Sequence, residues 1–245
     1  MTSGEEDELS KRRALGGILI RREHWTLSLK GKCLALVIVV TLVMTAQRGA
    51  HSFLAVTNRV PAETLIVEGW TPPYTLGQAA SEFRTGHFKR LVLVRSLYTV
   101  GESRELGRDY VDYLIRLLVQ QGVPRECVEP VFCSVVRKDR TYHSALAVKQ
   151  WLAQRAIPVT SLDVATLGPH ARRSRLLYRK AFGKDVAVGV IGLEDQGYDP
   201  LHWWRSSEGV REVLGESIAY GYARLFFYPS DTDSKHQPAP VEHTP

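Results

Sequence analysis

Two patterns alternate along the chain between residues 60 and 228. Short runs rich in β-branched side chains, apolar on both faces, are separated by longer stretches with apolar residues three and four apart. The runs predict buried parallel strands at 64–68, 91–95, 128–136, 162–167 and 186–193. The longer stretches predict helices at 75–87, 103–121, 141–155 and 170–182. A last amphipathic helix is expected over 207–227, with Val210, Val213, Leu214, Ile218, Gly221 and Leu225 at helical spacing. Gly86, Gly122 and Gly183 stand where three of these helices should close. Strict alternation of strand and helix implies parallel strands joined by right-handed crossovers. The expected fold is therefore α/β, a Rossmann-like parallel sheet with helices on both faces. A chain of 245 residues suits one such domain with appendages. The segment 229–245 is polar and proline-rich, and is expected to be disordered.

Ahead of this pattern, Cys33 to Ala46 carries no charge. With Lys30 and Lys32 snorkelling, 29–47 makes a helix of about 28 Å, close to the roughly 30 Å of a bilayer's hydrocarbon core. A buried core helix or a cleaved signal peptide would read similarly. However, Thr45, Ala46, Gln47 and Arg48 make a poor cleavage site, and the leading segment is long for a signal, so a retained transmembrane helix is expected. Lys11, Arg12, Arg13, Arg21, Arg22, Lys30 and Lys32 precede it, and only Arg48 and Arg59 follow closely. The positive-inside rule then keeps 1–28 in the cytoplasm and puts the domain at 60–228 in the periplasm or outside the cell.

The formal charge is +6, but no basic stripe interleaved with aromatics, no finger spacing and no RNA-binding run accompanies it. A membrane surface is the expected partner and nucleic acid is not. Cys127 and Cys133 flank the third strand, too far apart for a disulfide, and Cys33 lies in the apolar helix. No spacing points to a metal.

In a parallel sheet of this kind ligands bind at the carboxyl ends of the strands. That singles out 68–70, 95–97, 137–144 and 168–174. Glu68 closes a strand where a carboxylate could act as a general base, or form a salt bridge with an arginine. His170 and Arg173 open a helix on the side that faces the crevice, where helix-start amides favour an anion, and Gly168 lets backbone approach closely. Arg172, Arg175 and Arg179 fall on the solvated side. Asp139 or Thr141 can cap the preceding helix, and Ser144 can meet a ligand hydroxyl or phosphate. Trp203 and Trp204 more often clamp a helix than stack on a ligand. No serine-hydrolase elbow, P-loop or dinucleotide fingerprint occurs.

The two helix starts resemble those of the bacterial YdcF/SanA/ElyC-like family over residues 64 to 193. Thr141, Tyr142 and Ala145 match one family motif, and His170 and Arg173 match a second. Arg140, His143 and Ser144 depart from the first, and of the family's glycine-rich strand ends Gly69 remains. The resemblance implies a Rossmann-like fold, membrane anchoring and a role in envelope or peptidoglycan-precursor metabolism. The expected function is binding of a phosphorylated or other anionic ligand, with a lipid-linked cell-wall precursor as candidate substrate. Glu68 and His170 are the expected catalytic residues; Gly69, Thr141, Ser144, Gly168 and Arg173 are the expected ligand contacts. Whether the protein is an enzyme, and with what cofactor, stays open. The alternative is a non-catalytic module that binds a nucleotide-like ligand or serves as a scaffold.

Overall fold

The computed structural model describes residues 27–96, 104–133 and 138–229, with the backbone of 13–14 and 19–20. Helix α1, Leu29–Leu54, is long and apolar enough to cross a membrane. Five parallel strands follow: β1 Thr64–Glu68, β2 Arg90–Ser96, β3 Val128–Cys133, β4 Ser161–Leu167 and β5 Ala187–Leu193. The helices between and after them are α2 Thr75–Thr85, α3 Arg104–Gln120, α4 Arg140–Gln154, α5 Ala171–Phe182 and α6 Ser207–Leu225. The strand order is β3-β2-β1-β4-β5. The fold is a Rossmann-like α/β sheet. The expected extension of the third strand to Val136, the start of the third-strand crossover at Arg137, and the tail beyond Pro229 lie outside the described residues.

Alternation along each strand sorts the core into two layers. Leu65, Val67, Leu91, Leu93 and Ala165 pack under α2 and α3, against Leu76, Phe83, Leu114 and Leu118. Ile66, Val92, Val94 and Val164 pack under α4 and α5, against Val148, Trp151, Leu177 and Tyr178. A third cluster joins Leu54, at the end of α1, to Tyr198, Trp203 and Val213. Trp203 Nε1 donates to the Gln47 carbonyl at 2.9 Å, so this tryptophan clamps the end of α1.

Two local expectations are corrected. α6 buries only part of its apolar stripe: Val213 is buried and Val210 packs beside it, but Leu214, Ile218 and Leu225 are exposed, Ile218 by 75%. Its inward face carries Glu212 and Glu216 instead, because buried basic groups below it need a partner. The three glycines close their helices as expected, Gly122 and Gly183 at φ of +87° and +90° and Gly86 at φ −85°. There a Cβ would meet the Phe88 ring at 2.5 Å, so packing rather than a left-handed turn demands the glycine. Asp139 precedes α4 at φ +52° and makes no side-chain cap, and the Thr141 hydroxyl is turned to His170. All three cysteines are free of disulfides.

Candidate functional site

The strand order turns back between β1 and β4, and an open sheet parts at such a point to leave a crevice at its carboxyl edge. Glu68 ends β1 and shares the face of Ile66, beneath α4 and α5. It is 1% exposed. Thr166 Oγ1 of β4 donates to its Oε2 at 2.5 Å, Ser174 Oγ of α5 at 3.0 Å and Trp70 Nε1 at 3.2 Å. These donors replace the water that a buried carboxylate loses.

His170 ends a 3-10 turn, Gly168–His170, that leads from β4 into α5. Its ring is buried. Nδ1 lies 2.9 Å from Oε1 of Glu216, and Nε2 lies 3.3 Å from Thr141 Oγ1 and 3.7 Å from Glu68 Oε2. The edge of Trp70 covers the ring at 4.6 Å between centroids. Arg173, one turn into α5, forks onto the same Glu216: Nε donates to Oε2 at 2.8 Å and Nη2 to Oε1 at 2.9 Å. Burial alone would raise the Glu216 carboxyl, but hydrogen bonds from Arg173 and His170 outweigh it and hold the group down at about 2. Burial likewise works against the Arg173 charge, and the bond to Glu216 reverses that to raise its pKa. Glu212, one turn earlier on α6, is raised, first by burial and then by repulsion from Glu216.

Around this network lies a cavity of about 610 Å³. Glu68, Thr141, Ser144, His170 and Arg173 all line it, so five of the seven expected site residues meet. Arg95 and Arg140 add positive charge to the wall, and Leu177, Ala219, Tyr222, Ala223 and Phe227 make an apolar side. Arg140 is exposed and carries no ion pair among the described residues. Ser144 Oγ lies 3.6 Å from Cys133 Sγ.

The two expected glycine contacts do not join this cavity. Gly69 donates its amide to the Val94 carbonyl at 2.8 Å, and a Cβ there would come within 3.2 Å of that oxygen and of Arg95 Cβ. Close approach of β1 to β2 accounts for it. Gly168 faces Leu193 O and Asp195, with ordinary room for a Cβ, so no close backbone approach requires it. The solvated arginine face is also narrower than expected. Arg172 stacks on Phe53 at 3.9 Å, Arg175 donates to the Val188 carbonyl at 2.9 Å, and Arg179 alone of the three is exposed.

The central finding is Glu216. The anion expected at the start of α5 is already there, as a carboxylate supplied by the chain's own last helix. Sequence reasoning missed it because α6 was read by its apolar stripe. The signal was the spacing of Glu212, Glu216, Ala219 and Ala223, which share the opposite face. Comparison with protein-family models, with curated proteins and with solved structures finds no match, so the functional reading rests on this geometry.

Proposed function

We propose that this is a membrane-anchored envelope protein, with its domain outside the cytoplasm, whose cavity binds a phosphorylated or other anionic ligand and acts on a lipid-linked cell-wall precursor. One observation carries the reading: at the carboxyl edge of the sheet a single cavity combines an exposed arginine, hydroxyls, a buried imidazole and an apolar wall. That charge comes from Arg140, which is exposed, since Arg173 is engaged by Glu216 and Arg95 donates to the Gly69 carbonyl at 2.8 Å and stacks on Tyr110. Arg140 and Thr141 stand in the first turn of α4, with Ser144 just beyond it, and the start of a helix favours an anion. The apolar side on α6 and Phe227 suits the hydrocarbon attached to such a phosphate. His170, between Glu68 and Glu216, is the group able to move a proton at the ligand.

The test is calorimetric titration of the full chain in detergent with inorganic phosphate and with a polyprenyl phosphate. Both should bind, and the polyprenyl compound more tightly. Arg140→Ala should weaken binding by about tenfold to a hundredfold, the equivalent of losing a charge-assisted hydrogen bond. Arg179→Ala, outside the cavity, should leave it unchanged. A wild type that binds neither compound would remove the proposal.

A further inference from the structure

We infer that Thr141, His170 and Glu216 form a hydroxyl–imidazole–carboxylate relay, in which Thr141 Oγ1 is the nucleophile toward a phosphoric ester, His170 its base and Glu216 the residue that positions the base. The inference rests on the phosphorylated ligand proposed above. The three residues come from α4, from the turn ahead of α5 and from α6, and meet at the cavity wall.

The proton positions follow from the partners. A carboxylate held ionised by an arginine fork has no proton to give, so the hydrogen in the 2.9 Å Glu216–His170 contact belongs to Nδ1. Arg173 Nη2, which donates to the same Oε1, lies 2.8 Å from Nδ1 and 3.3 Å from Nε2, so the guanidinium rests against the ring. With Nδ1 protonated, a neutral ring has its lone pair on Nε2. That lone pair faces the Thr141 hydroxyl at 3.3 Å, within reach of the proton it would take. Once Nε2 takes the proton, it stands 3.7 Å from Glu68 Oε2. A carboxylate then lies beside each nitrogen and offsets the Arg173 charge that rests against the ring, with Trp70 covering it. A merely structural Thr–His contact needs neither the second carboxylate nor the opening to a cavity.

In the step, Oγ1 gives its proton to Nε2 as the Oγ1–P bond forms. The bond from phosphorus to the leaving oxygen breaks, and Nε2 returns the proton to that oxygen. A water then gives its proton to Nε2, attacks phosphorus and releases Thr141, whose Oγ1 regains the proton. Arg140 neutralises charge on the non-bridging oxygens.

An alkyl fluorophosphonate tests this on the full chain in detergent, since attack on its phosphorus expels fluoride and leaves a stable adduct. Intact mass and peptide mapping should show one adduct, on Thr141. It should be absent in Thr141→Val and His170→Ala, retained in Thr141→Ser, and formed at least tenfold more slowly in Glu216→Gln. Arg179→Ala should label as wild type, and circular dichroism identifies any variant that fails to fold. Nitrogen-15 spectra should show His170 as the Nδ1–H tautomer, lost in Glu216→Gln. No adduct in wild type, or equal labelling of Thr141→Val, would overturn the relay. Equal rates and tautomers in Glu216→Gln would overturn the positioning role. Phosphate binding without an adduct sinks the relay and leaves the ligand reading standing; an adduct without phosphate binding does the reverse.

Discussion

Glu216 meets both His170 and Arg173, and its energetics follow from what those contacts do to its carboxyl. Its carboxyl is held at about 2, against the ordinary value of 4.5, by hydrogen bonds that outweigh the cost of burial. A carboxyl depressed on folding adds stability that is fully present above its unfolded pKa and disappears as pH falls through its folded one. The window here runs from about pH 5 down to about pH 2, and the shift corresponds to roughly 3 kcal/mol as an order of magnitude. Glu216→Gln should therefore lower the denaturation free energy by about that amount at pH 7. The two curves should converge as pH approaches 2, where wild type carries a protonated carboxyl of nearly the same shape. Parallel curves for the two proteins from pH 7 to pH 2 would show that folding does not depress the Glu216 carboxyl, and coincident curves that the Arg173–Glu216 fork contributes no net stability. Arg173 explains why sequence reading went astray at this point. An arginine beside a histidine at a helix start suggests an external anion, and only the folded chain reveals that the anion is internal.

Among the elements, β5 depends on an absence of side chain. Asp163 of β4 pairs with Gly189 of β5, and a Cβ on Gly189 would lie 1.8 Å from Asp163 Oδ1. That oxygen accepts the Val60 amide at 3.1 Å, while Asn58 and Val190 exchange backbone hydrogen bonds of 2.7 and 2.9 Å. The segment before β1 thus closes the free edge of the sheet through a contact that only glycine admits. Gly189→Ala should cost roughly 1–3 kcal/mol in urea denaturation, the usual range for overpacking. Because the closest clash is with one side chain, adding Asp163→Ala should recover part of the loss; strict additivity of the two would place the strain in the backbone instead. The strands themselves were legible, since β-branched runs buried on both faces have few other readings, and β1 begins and ends as its residues suggest. That Glu68, Thr141, Ser144, His170 and Arg173 line one cavity was legible because each sits where a strand ends or a helix starts. α6 was legible as a helix and illegible in its rotation. Leu214, Ile218 and Leu225 form the more apolar stripe, yet Arg173 and His170 buried beneath the helix make Glu216 the residue that must face inward.

On the scale of the whole molecule, the chain divides into compact units at Met1–Thr45 and Ala46–Pro245, and α1 contributes to both. The charge-free run accounts for the helix as far as Gln47. Its continuation to Leu54 is set by tertiary contacts invisible in hydropathy: the Gln47 carbonyl accepts from Trp203, and Leu54 is 1% exposed within the cluster of Tyr198, Trp203 and Val213. Direction is a separate question, decided by charge rather than packing. Moving a cluster of lysines and arginines across a bilayer opposes the insertion bias that keeps such residues in the cytoplasm, and acidic residues count little in that bias. Seven basic residues between Lys11 and Lys32 stand before the apolar run, against Arg48 and Arg59 soon after it. The acidic run Glu5, Glu6, Asp7 and Glu8 therefore does not offset them. An enzyme reporter that is active only outside the cytoplasm, fused after Pro229, should be active; a reporter that needs the cytoplasm, fused at the same place, should be silent. Exchanging Lys30 and Lys32 for glutamine should shift part of the population only if the remaining five upstream charges fall short of holding the orientation. The reverse pattern in the unaltered chain would put the domain in the cytoplasm and end the envelope assignment.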